Sequence, residues 1–536
     1  MKGECLVKEI QMKNFRSLKD TGMQTLSPIT ILVGENSSGK STFLRAFPLL
    51  KQSISKRTSG PILWAGDVDD YVDFGSFKET VTNDKSKEIT FGFKFDISDI
   101  GLEFGFFSLN YFLGTEKGEA ANSKHVVNYE MTLKSIRGND VVTGLSLSID
   151  DTQIDFALRD KIIRTNGGYV YKEPARKTEK PGEPKNRSLF GRSSTHSRTF
   201  GYWLPDIGIL LDKIFARWVN PENDDFETYY YSQMAAEIGK KLANAEPIDI
   251  LDEKKSSSFP DGYIETYNGI VSTLEKTNNT DLHEILKICY FYRAFRYIDE
   301  YLFGYFRQVH YIAPVRATAE RYYRLRNLAV DEVDFQGKNL AIFINSLSKK
   351  KLDDFQVWTN EHFGFAVNVK KVGGHLSLQI KLKDSSQEIN LSDTGFGYSQ
   401  ILPIITQLWE LSTQERNHQQ NYPGISETLP LVVAIEQPEL HLHPAVQAKL
   451  AKAFIASIDL ARKNGYELQL ILETHSQTIV NYFGRAIARG QLKSNDVSLI
   501  FFEKKPGENH TSVHKSYYDD DGYLNDWPYG FFDSED

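Results

Sequence analysis

With 536 residues, 40% hydrophobic and 25% charged, the chain is long enough for two to four domains and a large core. A formal net charge of −8 excludes a uniformly basic surface, although local basic patches keep nucleic acid among the candidate partners. The two cysteines, Cys5 and Cys289, exclude a disulfide framework and a cysteine-based zinc cluster.

No apolar run approaches the roughly 18–20 residues of a membrane span. Met1–Ile10 is short, mixed and charged, unlike a secretory leader, so the expected location is cytoplasmic with no membrane partner.

Cys5–Phe15 alternates and ends in KNFRSL, which predicts a strand pair leading into an apolar strand at Ile29–Val33. The stretch Ile29–Leu44, ITILVGENSSGKSTFL, then runs from strand through a two-glycine turn into a helix. Gly34-x-x-x-x-Gly39-Lys40-Ser41 fits the phosphate-binding loop pattern at every position. Gly34 lets the chain leave the strand sharply, and Gly39 admits backbone N–H groups to phosphate without a Cβ in the way. The helix that follows directs its positive end at the same charge. Lys40 is placed to span β- and γ-phosphates and Ser41 to ligate Mg²⁺. This is the pattern of a nucleoside triphosphate site.

Thr42–Gln52 reads as a helix, with Pro48 as a point where it would kink or shorten. Alternation over Glu88–Leu109, Tyr129–Leu133, Leu145–Ile149 and Ile154–Leu158 predicts an antiparallel β lobe. Lys172–Arg198 breaks that pattern with eight Lys or Arg against three Glu, and three prolines. Its composition is that of a solvated loop, with a nucleic-acid backbone contact as the sharper alternative. Leu204–Trp218, Tyr229–Ala245, Tyr263–Glu275 and Leu282–Val309 read as helices. The aromatics of the last, Tyr290 to Phe306, fit a helix buried on most sides better than a base-stacking platform.

Strand character returns at VHYIAPVR from Val309, followed by a helix near Leu340–Leu347 and a hairpin, Ala366–Val372 with Leu376–Leu382, turning at Gly373-Gly374. Gln400–Leu411, Pro444–Asp459 and Ser476–Arg489 read as helices between the apolar strands Leu429–Ile435 and Glu467–Leu472. Such alternation predicts a mostly parallel sheet. A phosphate loop needs a carboxylate on a neighbouring strand, and Glu436 ends LPLVVAIE where it belongs, followed by Gln437-Pro438-Glu439. LQLILETHS places Glu473 and His475 at the end of another strand, where a His could contact the γ-phosphate or order water.

Taken together, KNFRSL, GENSSGKST, SDTGFGYSQILPII, IEQPELHLHP and ETHS resemble ABC-type ATPases of the SMC, DNA-repair and overcoming-lysogenization-defect (OLD) kind. Val309–Tyr323 and GYLNDWPYGFF look like a bacterial subgroup associated with anti-phage defence. The resemblance implies an α/β fold: an ABC-type P-loop ATPase core with an antiparallel β lobe, split by a long, mainly helical insertion. The segments would be 1–108 with the phosphate loop, 109–308 as insertion, and 309–536 with the remaining motifs.

It also implies ATP and Mg²⁺ as cofactors. Gly34, Asn36, Ser37, Ser38, Gly39, Lys40, Ser41 and Thr42 form the nucleotide loop, and Ser41 and Glu436 the metal pair. Asp393, Gly395 and Gly397 stand in the place of the signature that caps the nucleotide of a second copy, so a homodimer is implied. His475 matches the switch histidine. Gln437 stands where many relatives carry the water-polarising Glu, and an amide orients water without taking its proton. Either Glu439 serves as base or hydrolysis is slow and ATP acts as a dimer clamp. The implied role is a sensor or clamp subunit for DNA or for an effector nuclease or toxin, the alternative being an OLD-type nuclease or DNA-repair ATPase.

Overall fold

Runs of branched apolar residues at β4 (Ile29–Gly34), β16 (Leu431–Glu436) and β17 (Leu468–Glu473) are buried along their whole length. Strands of this kind need cover on both faces, the condition met in a parallel sheet between helices. The computed structural model describes residues 7–56, 58–67, 69–82, 87–98, 124–172, 234–235, 238, 242, 267–272, 280–325, 330, 332–414, 429–505, 507–508 and 510–527.

Within them the seven-stranded sheet runs β11-β16-β17-β4-β18-β19-β20, where β11 is Val309–Ile312, β18 Val497–Glu503, β19 Ser512–Tyr518 and β20 Leu524–Asn525. The first five strands are parallel and the last two antiparallel. The register sets Glu436 beside Glu473, and Glu473 beside Leu32 on β4. Glu473 therefore stands next to the strand that leads into the loop and Glu436 one strand further out, both at the carboxyl edge where open α/β sheets hold ligands.

One face of this sheet packs on α1 (Lys40–Ser55), with Leu32, Val432, Ala434 and Ile471 against Phe43, Leu44 and Phe47. The other face, with Ile31, Val433, Ile435, Leu470 and Leu472, packs on helices from the second half of the chain. Those are α6 (Phe396–Thr413), α7 (Pro444–Lys463) and α8 (Gln477–Ala488). Rather than shortening, α1 continues through Pro48 to Ser55, because buried side chains on both sides of the proline outweigh one lost backbone bond.

The antiparallel lobe is a nine-stranded sheet built on β1 (Val7–Phe15), β2 (Leu18–Asp20) and β3 (Gln24–Thr25). It continues through β5 (Glu88–Ser98), β6 (Lys124–Ile136), β7 (Asn139–Ile149), β8 (Thr152–Ala157), β9 (Ile162–Thr165) and β10 (Val170–Lys172). Between β4 and β5, α2 (Phe77–Thr80) is a single turn.

The aromatic helix α3 (Thr280–Arg307) is core. Phe306 meets Phe93 at 5.4 Å and Tyr301 stacks on Phe95 at 5.0 Å, which accounts for these rings by packing. The expected helices 204–218 and 229–245 lie outside the described residues apart from 234–235, 238 and 242; the basic stretch 173–198 lies wholly outside them.

A small sheet of β12 (Tyr323–Arg324), β13 (Phe365–Val372), β14 (His375–Leu382) and β15 (Glu388–Asn390) contains the expected hairpin, turning at Gly373-Gly374. Before it come α4 (Leu340–Ser346) and α5 (Lys349–Phe363). The α5 helix has no counterpart among the sequence expectations. Its lysine-rich start hides a buried stripe of Phe355, Trp358 and Phe363 behind a Ser348 cap that accepts from Lys351 N.

Candidate functional site

The loop between β4 and α1 takes the shape its glycines allow. Gly34 has φ +150°, and a Cβ there would lie 2.2 Å from the Phe502 carbonyl oxygen. Gly39, at φ +100°, begins α1 with its backbone against Ser17, whose Oγ would lie 2.8 Å from a Cβ. No other residue type fits either position without moving backbone or neighbour. Inside the curl, Lys40 is buried, and its Nζ donates to the Gly34 and Glu35 carbonyl oxygens at 2.9 and 2.6 Å. Burial lowers the Lys40 ammonium from its ordinary value, while Glu473, Glu35 and Glu439 pull it upward. The buried Ser38 hydroxyl has no hydrogen-bond partner among the described residues. A loop with such an orphaned hydroxyl, a coiled lysine and a helix start fits a phosphate group.

Next to the loop opens a cleft of about 420 Å³. Asn36, Ser37, Ser38, Gly39, Lys40, Ser41 and Thr42 line one wall; Gln437, Glu473 and His475 line the facing side. Arg16, Ser17, Arg45 and Phe74 complete it. Arg16 lies in the KNFRSL stretch, and its guanidinium sits 5.0 Å over the Phe74 ring. Phe74 carries no sequence signal, since nothing local marks an aromatic that arrives from a loop.

The two strand-end carboxylates have different partners. Glu436 is buried; Arg45 donates Nε–H to its Oε1 at 2.6 Å and Nη2–H to its Oε2 at 2.7 Å. The Tyr311 hydroxyl adds a third bond to Oε1 at 2.7 Å. Glu473, equally buried, accepts from Ser41 Oγ at 2.7 Å through Oε1, and its Oε2 has no hydrogen-bond partner among the described residues. Burial first, and the neighbouring Glu436 second, push the Glu473 carboxyl up to about 7.

Behind the cleft, Glu439 reaches back to the strand-end turn after β17. Its oxygens accept from His475 N at 2.7 Å and Thr474 Oγ1 at 2.8 Å. Burial raises its carboxyl above the ordinary value despite these bonds. Gln437, in a left-handed conformation at φ +42°, donates its N–H to the Glu473 carbonyl at 2.8 Å. Buried Arg316 donates Nη2–H to the carbonyls of Glu436 and Gln437 at 3.0 and 3.3 Å. Burial brings Arg316 down to about 10. For His475, burial and then Lys40 lower the imidazole, so it is neutral at neutral pH.

A profile described as an AAA ATPase domain matches residues 6–298 and 317–480, which take in the phosphate loop and both strand-end motifs. The chain belongs to this family. In this AAA ATPase, residues 492–536 match a second profile, described as a protein of unknown function. An uncharacterized protein of Methanocaldococcus jannaschii, MJECL10, is 24% identical over 181 residues, spanning 31% of this chain and 77% of that relative.

Among solved structures, an SMC head bound to the C-winged helix domain of ScpA is 11% identical with a TM-score of 0.33, covering 95% of this chain and 97% of that one. The SMC head domain from Thermotoga maritima is 9% identical with a TM-score of 0.30, covering 95% and 98%. The fold assignment rests on the sheet order and the phosphate loop themselves, not on scores of that size.

The remaining expected positions of the AAA ATPase lie away from the cleft lining. Gly34, Glu436 and Glu439 do not line the cleft. Asp393 is paired with Arg321. Gly395 caps α6, and Gly397 lies beside the His441 carbonyl oxygen. The exposed Phe396 ring stands 5.0 Å from His441. Gly397 and Phe396 thus meet the turn that follows Glu436, and none of Asp393, Gly395 and Gly397 lines the cleft. No helix among the described residues is long and apolar enough to cross a membrane.

Proposed function

We propose that this AAA ATPase binds ATP with Mg²⁺ in the cleft between Lys40 and His475 and hydrolyses it slowly. Two copies close around the nucleotide, with Asp393–Gln400 of one copy facing the ATP of the other. The nucleotide-dependent dimer serves as a sensor or clamp for DNA or for an effector nuclease or toxin, in defence against phage. The observation that carries the reading is the phosphate loop, with Lys40 curled onto the Gly34 and Glu35 carbonyls and a partnerless Ser38 hydroxyl beside it.

Each residue has a separate task. Backbone N–H groups of the Ser37–Ser41 turn and the start of α1 bind phosphate oxygens. Lys40 leaves its two carbonyls for phosphate, a charge-assisted exchange. Neutral His475 can donate or accept a hydrogen bond at the γ-phosphate end. Gln437 orients water without accepting its proton, which supports slow turnover. Glu439 supports the same reading, because both its oxygens hold the Thr474–His475 turn and it does not line the cleft. Ser41 and a carboxylate at this strand edge offer oxygen donors fit for Mg²⁺, which would supply positive charge against the phosphates when bound.

The nuclease alternative gains no support from Asp519-Asp520-Asp521. Asp519 Oδ1 accepts from the backbone of Asp521 at 3.1 Å and Tyr523 at 2.8 Å, as a turn residue does.

The test is Lys40→Ala, read by equilibrium binding of a fluorescent ATP analogue. Losing a charge-assisted contact to phosphate should weaken binding about 10- to 100-fold while the fold stays intact. Unchanged affinity in a folded variant refutes the site.

A further inference from the structure

We infer that Glu473, rather than Glu436, is the carboxylate that faces the magnesium ion of the phosphate loop, and that Glu436 is a structural anion locked out of that role. This deepens the nucleotide-binding reading and rests on it.

Ser41 and Arg45 are four residues apart on α1, so they lie one turn apart on the same side. Opposite them, in register on adjacent parallel strands, stand Glu473 and Glu436. The result is two parallel rungs, Ser41 to Glu473 at 2.7 Å and Arg45 to Glu436 at 2.6 and 2.7 Å.

The rungs differ in what they leave over. A carboxylate gripped by both arms of a guanidinium has its charge compensated and its geometry fixed. Glu436 has in addition the Tyr311 hydroxyl on Oε1, and it does not line the cleft. Reaching a metal would cost it a bidentate ion pair. Glu473 lines the cleft, touches the hydroxyl that the phosphate-loop pattern assigns to Mg²⁺, and keeps a buried Oε2 with no hydrogen-bond partner. A buried carboxylate oxygen without a partner is costly unless a cation or donor arrives. Two protein cations lie near it: Lys40, whose bonds go to the Gly34 and Glu35 carbonyls, and Arg45, whose bonds go to Glu436.

The strand motif by itself points the other way, to the first acidic residue after LVVAI. In this chain Arg45, one turn beyond Ser41, occupies both oxygens of that carboxylate. The consequence is a shift of the metal-facing carboxylate by one strand, to the one adjacent to β4.

The experiment compares Glu473→Gln and Glu436→Gln in the full chain, with a non-hydrolysable ATP analogue titrated in Mg²⁺ and in EDTA. Bound Mn²⁺, read by electron paramagnetic resonance in place of Mg²⁺, reports the ion directly. Glu473→Gln should bind the analogue in EDTA as the parent does, and lose about 10- to 100-fold of the metal-dependent gain. Glu473→Asp, keeping the charge on a shorter arm, should recover part of that gain. Glu436→Gln should keep the gain and the Mn²⁺ signal once thermal melting shows it folded.

Loss of the gain in Glu436→Gln alone, or equally in both variants, overturns the assignment. So does a full gain in Glu473→Gln. No binding by the parent in either buffer would instead defeat the nucleotide reading, and the metal assignment with it.

Discussion

The lock between Arg45 and Glu436 makes a quantitative prediction. Arg45→Ala removes two charge-assisted bonds and leaves the Glu436 carboxylate, 2% exposed, with the Tyr311 hydroxyl as its hydrogen-bond donor among the described residues and Arg316 nearby. Breaking a fully buried pair by deleting one partner costs about 3–5 kcal/mol, because a charge remains behind without compensation. The Arg45 side chain is 36% exposed, so water compensates part of that loss. Pairs in open solvent contribute only about 0–1 kcal/mol, which brings the expected cost to about 2–3 kcal/mol.

The assay is urea unfolding without nucleotide or metal, with Arg45→Ala, Glu436→Gln and the double variant. In a chain of 536 residues a cost of that size lowers Tm by only about 2–3 °C. Neutralising Glu436 in the Arg45→Ala background should recover about 1–2 kcal/mol, since the stranded charge is then gone. If the two substitutions add to within about 0.5 kcal/mol, the residues are not coupled and the lock is refuted.

Two more predictions concern turnover and acid. Gln437→Glu should raise single-turnover ATP hydrolysis by about 10²–10⁴-fold and shorten the lifetime of the nucleotide-held dimer, whereas Glu439→Gln should leave the slow parental rate within a few fold. A variant Gln437→Glu no faster than its parent removes the clamp argument, and abolished turnover in Glu439→Gln makes Glu439 the base. Separately, burial alone would raise the Glu332 carboxyl, but His310 at 3.0 Å and Lys51 at 3.3 Å outweigh it and bring it to about 2. A depressed carboxyl contributes stability above its unfolded value near 4.5 that is lost as pH falls toward 2. Urea midpoints should therefore fall more steeply below pH 4.5 in the parent than in Glu332→Gln; parallel curves would refute the role of this pair.

Local sequence determined the phosphate loop outright, because its chemistry is carried by neighbours in the chain. A glycine at each end of a turn, then Lys and Ser opening a helix, specify one backbone path wherever they occur after a strand. The apolar runs at 429–435 and 467–472 determined two buried parallel strands, and with them the edge at which Glu436, Glu473 and His475 would emerge. Sequence also determined the Gly373-Gly374 hairpin, whose two central residues both have positive φ.

Tertiary structure alone decided which carboxylate meets which partner. Arg45 lies 391 residues from Glu436, and Ser41 lies 432 from Glu473, so no local pattern relates them. Only the register that sets β16 beside β17 against one face of α1 makes those pairs. Packing likewise brought in Phe74, turned Glu439 onto the Thr474–His475 turn, and carried α1 past Pro48. The physical reason is the same in each case. Period and turn chemistry act over a few residues, whereas ion pairs, close approaches and cleft walls are made between segments that only the folded chain brings within a few ångströms.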